Sequence, residues 1–252
     1  MEIRVEQRER HLVVVTIVNE ARRNAMTRAM MADLAGLWDR LDGDAACRCV
    51  VLTGSGERAF SSGADLGGDL SASAEMAAVI NRALLKDTPF SKPIVAAVNG
   101  DCVAGGVELL LSTDIRAAVP EARFGLPEVK WGIYPFGGAT VKLAQQVGHV
   151  HAMDLLLTGR FIEADEAARI NLVNRVVARD QLMPWALETA TAIAANSPTA
   201  VQAVRQQTSS AIADYARSRE ALEQQLGDRV RHSDHFKEGI EAFLAKRTPD
   251  YK

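Results

Sequence analysis

The sequence predicts an α/β fold with a largely parallel sheet, completed by a helical tail. Three observations carry this: short apolar runs that read as buried strands, amphipathic stretches between them, and the loss of strand patterns beyond Val177. Strands that alternate with helices need crossover connections and therefore pair in parallel. The alternation by itself fits a doubly wound sheet and a spiral of repeated β-β-α turns equally well.

Residues 2–7 and 11–18 alternate or run apolar and read as paired strands. Thr27 to Leu41 places Met30, Met31, Leu34, Leu37, Trp38 and Leu41 at helical spacing, with Thr27 as the N-cap. Cys49–Thr53 is a buried strand that ends at Gly54-Ser55-Gly56, and a helix is expected from about Ser73 to Leu85. Pro93–Val98 is a strand running into a glycine turn and a helix start at Glu108-Leu109-Leu110-Leu111. Ile115–Val119 and Ala122–Phe124 read as short strands. Residues 181–246 are almost wholly helical in pattern, with breaks at Ser197-Pro198 and at His232-Ser233-Asp234.

Composition narrows the function classes. The chain has 252 residues, 48% hydrophobic and 24% charged, which suits a globular protein with a substantial core. Its 29 basic and 32 acidic residues give a net charge of −3, without the basic run that a broad nucleic-acid footprint needs. Cys47, Cys49 and Cys102 make an odd set, read as buried thiols in a reducing compartment rather than as disulfides or a zinc site. The histidine pairs His149/His151 and His232/His235 lack a third ligand at a suggestive spacing, so no metal is expected. The N-terminus opens directly on strand-like alternation, and no apolar stretch is long enough for a bilayer; a cytoplasmic protein is expected.

Chemistry concentrates at two glycine-rich turns, Phe60-Ser61-Ser62-Gly63-Ala64-Asp65-Leu66 and Asn99-Gly100-Asp101-Cys102-Val103-Ala104-Gly105-Gly106-Val107-Glu108. A strand, a glycine turn and a helix start together aim free backbone N–H groups at an anionic oxygen. Glu108 lies within an apolar run, where an unpaired carboxylate has a raised pKa. A second acid, Glu128, follows in Phe124-Gly125-Leu126-Pro127-Glu128. Each feature has a plain structural reading: Glu108 as an acid in a first helical turn, Pro127-Glu128 as an ordinary helix start. Together they supply what is needed to polarise a carbonyl and move protons beside it. Dinucleotide, P-loop and serine-hydrolase signatures are absent from the sequence.

Six motifs in fixed order resemble the crotonase (enoyl-CoA hydratase/isomerase) superfamily over nearly the whole chain. They are Arg23-Asn24-Ala25, Ser61–Leu66, Ala97–Glu108, Phe124–Glu128, Pro135-Phe136-Gly137-Gly138-Ala139-Thr140 and Leu157-Thr158-Gly159-Arg160. The segment Glu238 to Arg247 extends the likeness to the C-terminus. The resemblance implies a crotonase-like β-β-α spiral core over residues 1–195 and a C-terminal helical oligomerisation region over 196–252, building a homotrimer or a dimer of trimers. It implies that the amides of Ala64 and Gly105 form an oxyanion hole for an acyl-CoA thioester, with Glu108 and Glu128 as the catalytic pair. Arg23, Asn24, Ala25, Ser62, Gly63, Asp65, Leu66 and Phe136 are then expected around substrate and CoA. Phe243 and Lys246 are expected where the last helix reaches the CoA of a neighbouring subunit. No separate cofactor is expected, since CoA belongs to the substrate.

The implied reaction is hydration of a 2-trans-enoyl-CoA to a 3-hydroxyacyl-CoA, one glutamate taking the proton of water and the other delivering a proton to C2; sequence leaves open which does which. A Δ3-Δ2-enoyl-CoA isomerase, or another acyl-CoA-acting crotonase, is the alternative; a non-catalytic or RNA-binding homologue is disfavoured by the intact glutamate pair and the net negative charge. Three departures stand out: Phe136 where hydratases commonly have glycine, Asp101 where an aromatic or apolar residue is usual, and Gly67-Gly68 where a lysine-containing segment often occurs. These bear on acyl chain length more than on reaction class.

Overall fold

A computed structural model describes residues 1–9, 11–65 and 74–252. β1 (Glu2–Arg8) and β2 (Leu12–Val18) form the expected antiparallel pair, with Glu2 opposite Val18 and Arg8 opposite Leu12. α1 (Arg28–Gly43) starts where the Thr27 side chain accepts the Met30 N–H at 3.2 Å, satisfying one of the amides a helix start leaves open. Its Met30, Leu34, Leu37, Trp38 and Leu41 are buried, and the Trp38 indole donates to the Ala83 carbonyl at 2.9 Å. The one polar atom of a core tryptophan is thereby satisfied.

The chain then repeats a unit. β3 (Cys49–Gly54), β4 (Ala59–Ser61) and α2 (Ala74–Ala83) are followed by β5 (Ile94–Val98), β6 (Asp101–Val103) and α3 (Gly105–Leu110). β7 (Ile115–Ala118) and β8 (Arg123–Gly125) come next and lead into a 3-10 turn at Pro127–Trp131. Beyond it lie α4 (Ala139–Val147), α5 (His149–Thr158), β9 (Phe161–Glu163), α6 (Ala164–Arg169), β10 (Arg175–Val176), α7 (Arg179–Ala194), α8 (Pro198–Arg231) and α9 (Asp234–Ala245).

Among the described residues the strands form two sheets. The first strand of each unit enters one, in the order β1-β2-β3-β5-β7-β10; the second enters the other, in the order β4-β6-β8-β9. Within each sheet the repeated strands pair in parallel. A chain that feeds successive parallel strands alternately into two sheets winds as a β-β-α spiral, which settles the alternative that alternation left open. β2, β3 and β5 are almost wholly apolar and buried because helices and the second sheet cover both of their faces.

The helical tail divides as expected. α7 ends at Ala194 and α8 begins at Pro198 with the Ser197 hydroxyl accepting the Ala200 N–H; a second cap, Ser233, opens α9. α7 packs on β3 and β5, whereas α8 runs past α4 and carries few buried residues for its 34-residue length. All three thiols are free and buried; burial pushes Cys47 up to about 11 and Cys49 up to about 12. Among the described residues no helix is long and apolar enough to cross a membrane.

Candidate active site

The two glycine turns meet. Gly63 has φ +87°, and a Cβ there would lie 2.8 Å from the Gly105 nitrogen, so the chains approach at a distance only glycine permits. Met26 clamps the first turn from the other side: its N–H donates to Gly63 O at 2.8 Å, and Asp65 N–H donates to Met26 O at 3.0 Å. The second turn enters α3 through Ala104, whose φ of +52° is unusual for a residue with a side chain. Ala104 is held by donating its N–H to Gly125 O at 2.9 Å and accepting from the Glu108 N–H at 3.1 Å. Strained backbone of this kind persists where its surroundings over-determine it, and it clusters at functional sites. Among the described residues neither the Ala64 nor the Gly105 N–H has an acceptor, and both residues line one cleft of about 820 Å³. Two unspent amides side by side are the arrangement that binds a developing oxyanion.

Glu108 and Glu128 line the same cleft. Glu108 is 5% exposed, held in the first turn of α3 by the apolar residues around it. Its Oε1 accepts the Ala139 N–H at 3.2 Å, and the Gly137 N–H also donates to this carboxylate. Gly137 has to be glycine here, because a Cβ would run into Glu108 Oε2. Glu128 is 8% exposed, in the 3-10 turn directly after Pro127, and its Oε2 is buried without a hydrogen-bond partner among the described residues. Burial raises the pKa of both acids. For Glu108 the Ala139 and Gly137 amides and the Lys86 charge pull back toward ionisation; for Glu128 the neighbouring Glu108 charge adds to the rise. The cleft therefore holds one carboxylate braced for negative charge and one inclined to keep its proton.

Behind Glu108 lies a buried ionic cluster that sequence reasoning missed. Lys86, 1% exposed, contacts Glu220 and Glu223 of α8, each at 3.0 Å. Burial alone would lower the Lys86 pKa; the two glutamates reverse this and hold it above its ordinary value. Glu223 Oε1 also accepts from Thr140 at 2.7 Å, which ties α8 to the start of α4. Lys142, buried alongside, donates to Leu85 O at 2.6 Å and to Ser112 at 2.8 Å; burial pushes its pKa down to about 7.

The mouth is charged. Arg22, Arg23, Arg123 and Lys130 line it, joined by Asp65 and Asp101. Asp101 pairs with Arg123 at 2.7 Å and Arg23 at 3.6 Å, and Asp65 pairs with Arg22 at 3.0 Å. The unexpected Asp101 thus organises two arginines at the entrance to the cleft. Arg22, Arg123 and Lys130 escaped sequence reasoning because surface cations look alike until a fold gathers them.

The other expected site residues divide. Ala25, Ser62, Asp65, Phe136 and Phe243 line the cleft, and Gly63 forms its backbone floor against Gly105. Asn24 lies between two lining residues, Arg23 and Ala25, with its own side chain turned into the fold. Its side chain is buried, accepting from Asn19 N–H at 2.9 Å and donating to Ser55 O at 2.9 Å and Ala59 O at 2.7 Å, so it staples the Arg23 loop to β3 and β4. Lys246 caps α9 at φ +55° and is exposed, outside the lining of its own chain's cleft. Phe243 meets Trp131 at 5.1 Å within its own chain, because Gly239 and Gly132 let α9 pack closely on the 3-10 turn. The last helix therefore borders the cleft of its own chain. Leu66 and Gly67-Gly68 lie outside the described residues. In the last of the six motifs, Arg160 has a structural task, bridging Asp154 and Glu166 at 2.6 Å each after the Gly159 cap.

Two sheets wound into one spiral bring paired amides without acceptors and two buried acids into a single cleft, and comparison with known proteins identifies the family. The chain belongs to the enoyl-CoA hydratase/isomerase family, whose model matches residues 7–252. It is 40% identical over 253 residues to an enoyl-CoA hydratase of Mycobacterium tuberculosis, covering 98% of this chain and 95% of that one. It is 35% identical over 257 residues to the 2,3-dehydroadipyl-CoA hydratase of Escherichia coli, covering 98% of each. A crystal structure of an enoyl-CoA hydratase/isomerase from Pseudoalteromonas atlantica superposes with a TM-score of 0.91 at 29% identity, covering 99% of both chains.

Proposed function

We propose that this protein hydrates 2-trans-enoyl-CoA thioesters to 3-hydroxyacyl-CoAs. The observation that carries this is the asymmetry of the two buried acids beside two free amides. The Ala64 and Gly105 amides receive the thioester oxygen, and the enolate-like charge that develops there strengthens both hydrogen bonds. Glu108, braced by backbone donors and near Lys86, is the ionised partner that takes a proton from water attacking C3. Glu128, with an unpartnered buried oxygen and a charged neighbour, is the protonated partner that delivers to C2. Arg22, Arg23, Arg123 and Lys130 suit the phosphates of CoA at the mouth. The chemistry needs no cofactor beyond the CoA of the substrate.

Replacing Glu108 or Glu128 by Gln is expected to lower kcat on crotonyl-CoA by at least about 100-fold, the scale at which positioned acid–base groups act. Wild-type turnover in either variant overturns the assignment. An isomerase needs a single proton carrier, and the presence of two buried acids in one cleft favours hydration over it.

Self-association as a homotrimer, or a dimer of trimers, is part of the same proposal. Val150 and Leu157 of α5, Val204 of α8 and Leu244 of α9 are large apolar side chains left largely exposed on one chain. Sedimentation equilibrium is expected to return three or six chains; the mass of a single chain at micromolar concentration contradicts it.

A further inference from the structure

Phe136, which stands where glycine was expected, has its ring seated against α8. A Cβ on Gly227 would overlap the Phe136 ring, with Cζ and Cε1 nearest and Cε2 at 3.0 Å. Tyr134 meets the ring edge-on at 5.1 Å, and the Arg231 guanidinium, one turn beyond Gly227, lies 5.0 Å over its centroid. The ring is therefore fixed from behind, from the side and from above. Phe136 also lines the cleft, next to Gly137, the residue that abuts the Glu108 carboxylate. Leu84 and Ile80 supply apolar lining to the same cleft.

We propose that Phe136, docked on Gly227, is the specificity-determining wall of the acyl pocket and sets the upper limit of acyl chain length. The proposal rests on the assignment of the cleft to enoyl-CoA. With the acyl chain running toward this wall, a longer chain is admitted only if the ring moves. Close-packed interiors do not yield in that way, and the bare Cα of Gly227 already gives the ring the deepest seat α8 can offer. The preference is thus for short acyl chains, with the selectivity built from two residues on different elements. Even one methylene against a rigid wall changes kcat/KM by about tenfold or more.

The test is kcat/KM for 2-enoyl-CoAs of increasing chain length, from crotonyl-CoA to a medium-chain and a long-chain substrate. Wild type is expected to fall with length. Phe136→Ala is expected to raise the long-to-short ratio by roughly tenfold or more. Gly227→Ala pushes the ring into the cleft and is expected to lower the medium-chain rate further. The double variant is expected to lose that Gly227→Ala effect, since no ring remains to be displaced. Phe136→Leu, a gentler truncation, is expected to shift the ratio in the same direction as Phe136→Ala. A long-to-short ratio unchanged in both Phe136 variants overturns the proposal, as does a Gly227→Ala effect that persists without the ring. If hydrated product forms and the ratio is unchanged, the wall alone fails; if no chain length yields hydrated product from wild type, the hydratase assignment fails with it.

Discussion

A buried lysine beside a buried glutamate is costly unless each is compensated, and Lys86 is compensated twice, by Glu220 and Glu223. Its charge also favours the ionised form of Glu108, while Glu223 opposes it. The balance shifts where Glu108 titrates. With Glu108 as the proposed base and Glu128 as the proposed acid, activity is expected to rise as pH climbs through the Glu108 pKa and to fall as it passes that of Glu128. Lys86→Met removes the positive charge and leaves Glu223 unopposed, and both changes raise the Glu108 pKa. The acid limb of the kcat/KM profile is expected to move to higher pH by about one unit. An unmoved acid limb in a folded variant contradicts a role for Lys86 in tuning the base. At this scale the sequence exposed Glu108 and Glu128 through spacing and apolar context. Lys86, just past α2, and Glu223, within α8, were hidden because a lone polar residue gives no sign of burial until tertiary contacts exist.

At the scale of elements, long periodic segments were the legible ones. α1, with its Thr27 cap, and the breaks that bound α8 follow from capping and spacing visible in sequence. β4 and β6 were harder, because three residues show hardly one cycle of alternation; β8, equally short, reads one residue early in the sequence, as Ala122–Phe124. The segment Asp101–Val103 read as part of a glycine turn and is a strand, since its pairing with β4 and β8 is non-local. α3 begins at Gly105, which puts Glu108 in its first turn; the sequence placed the helix start at Glu108 itself. The function of α8 was the largest omission. Through Glu223 and Gly227 it forms the rear of the site, touching Lys86, Thr140 and Phe136, although it reads as a largely polar helix for packing or assembly.

For the whole molecule, one repeated unit explains both architecture and site. Each unit sends one strand into each sheet, and the loops of successive units fall side by side, so that Gly63 of one meets Gly105 of the next. Alternation could not distinguish this spiral from a doubly wound sheet, because both obey the same local pattern and differ only in which strands pair. The motif resemblance made the distinction, and the strand order agrees with it. Addition of water across the double bond of an enoyl thioester is the chemistry proposed for the assembled cleft. The most direct measurement is mass spectrometry of the product formed from crotonyl-CoA in oxygen-18 water. A 3-hydroxyacyl-CoA one water heavier than the substrate, carrying the heavy oxygen at C3, is predicted. A product of unchanged mass with its double bond moved, or no product at all, would contradict the account.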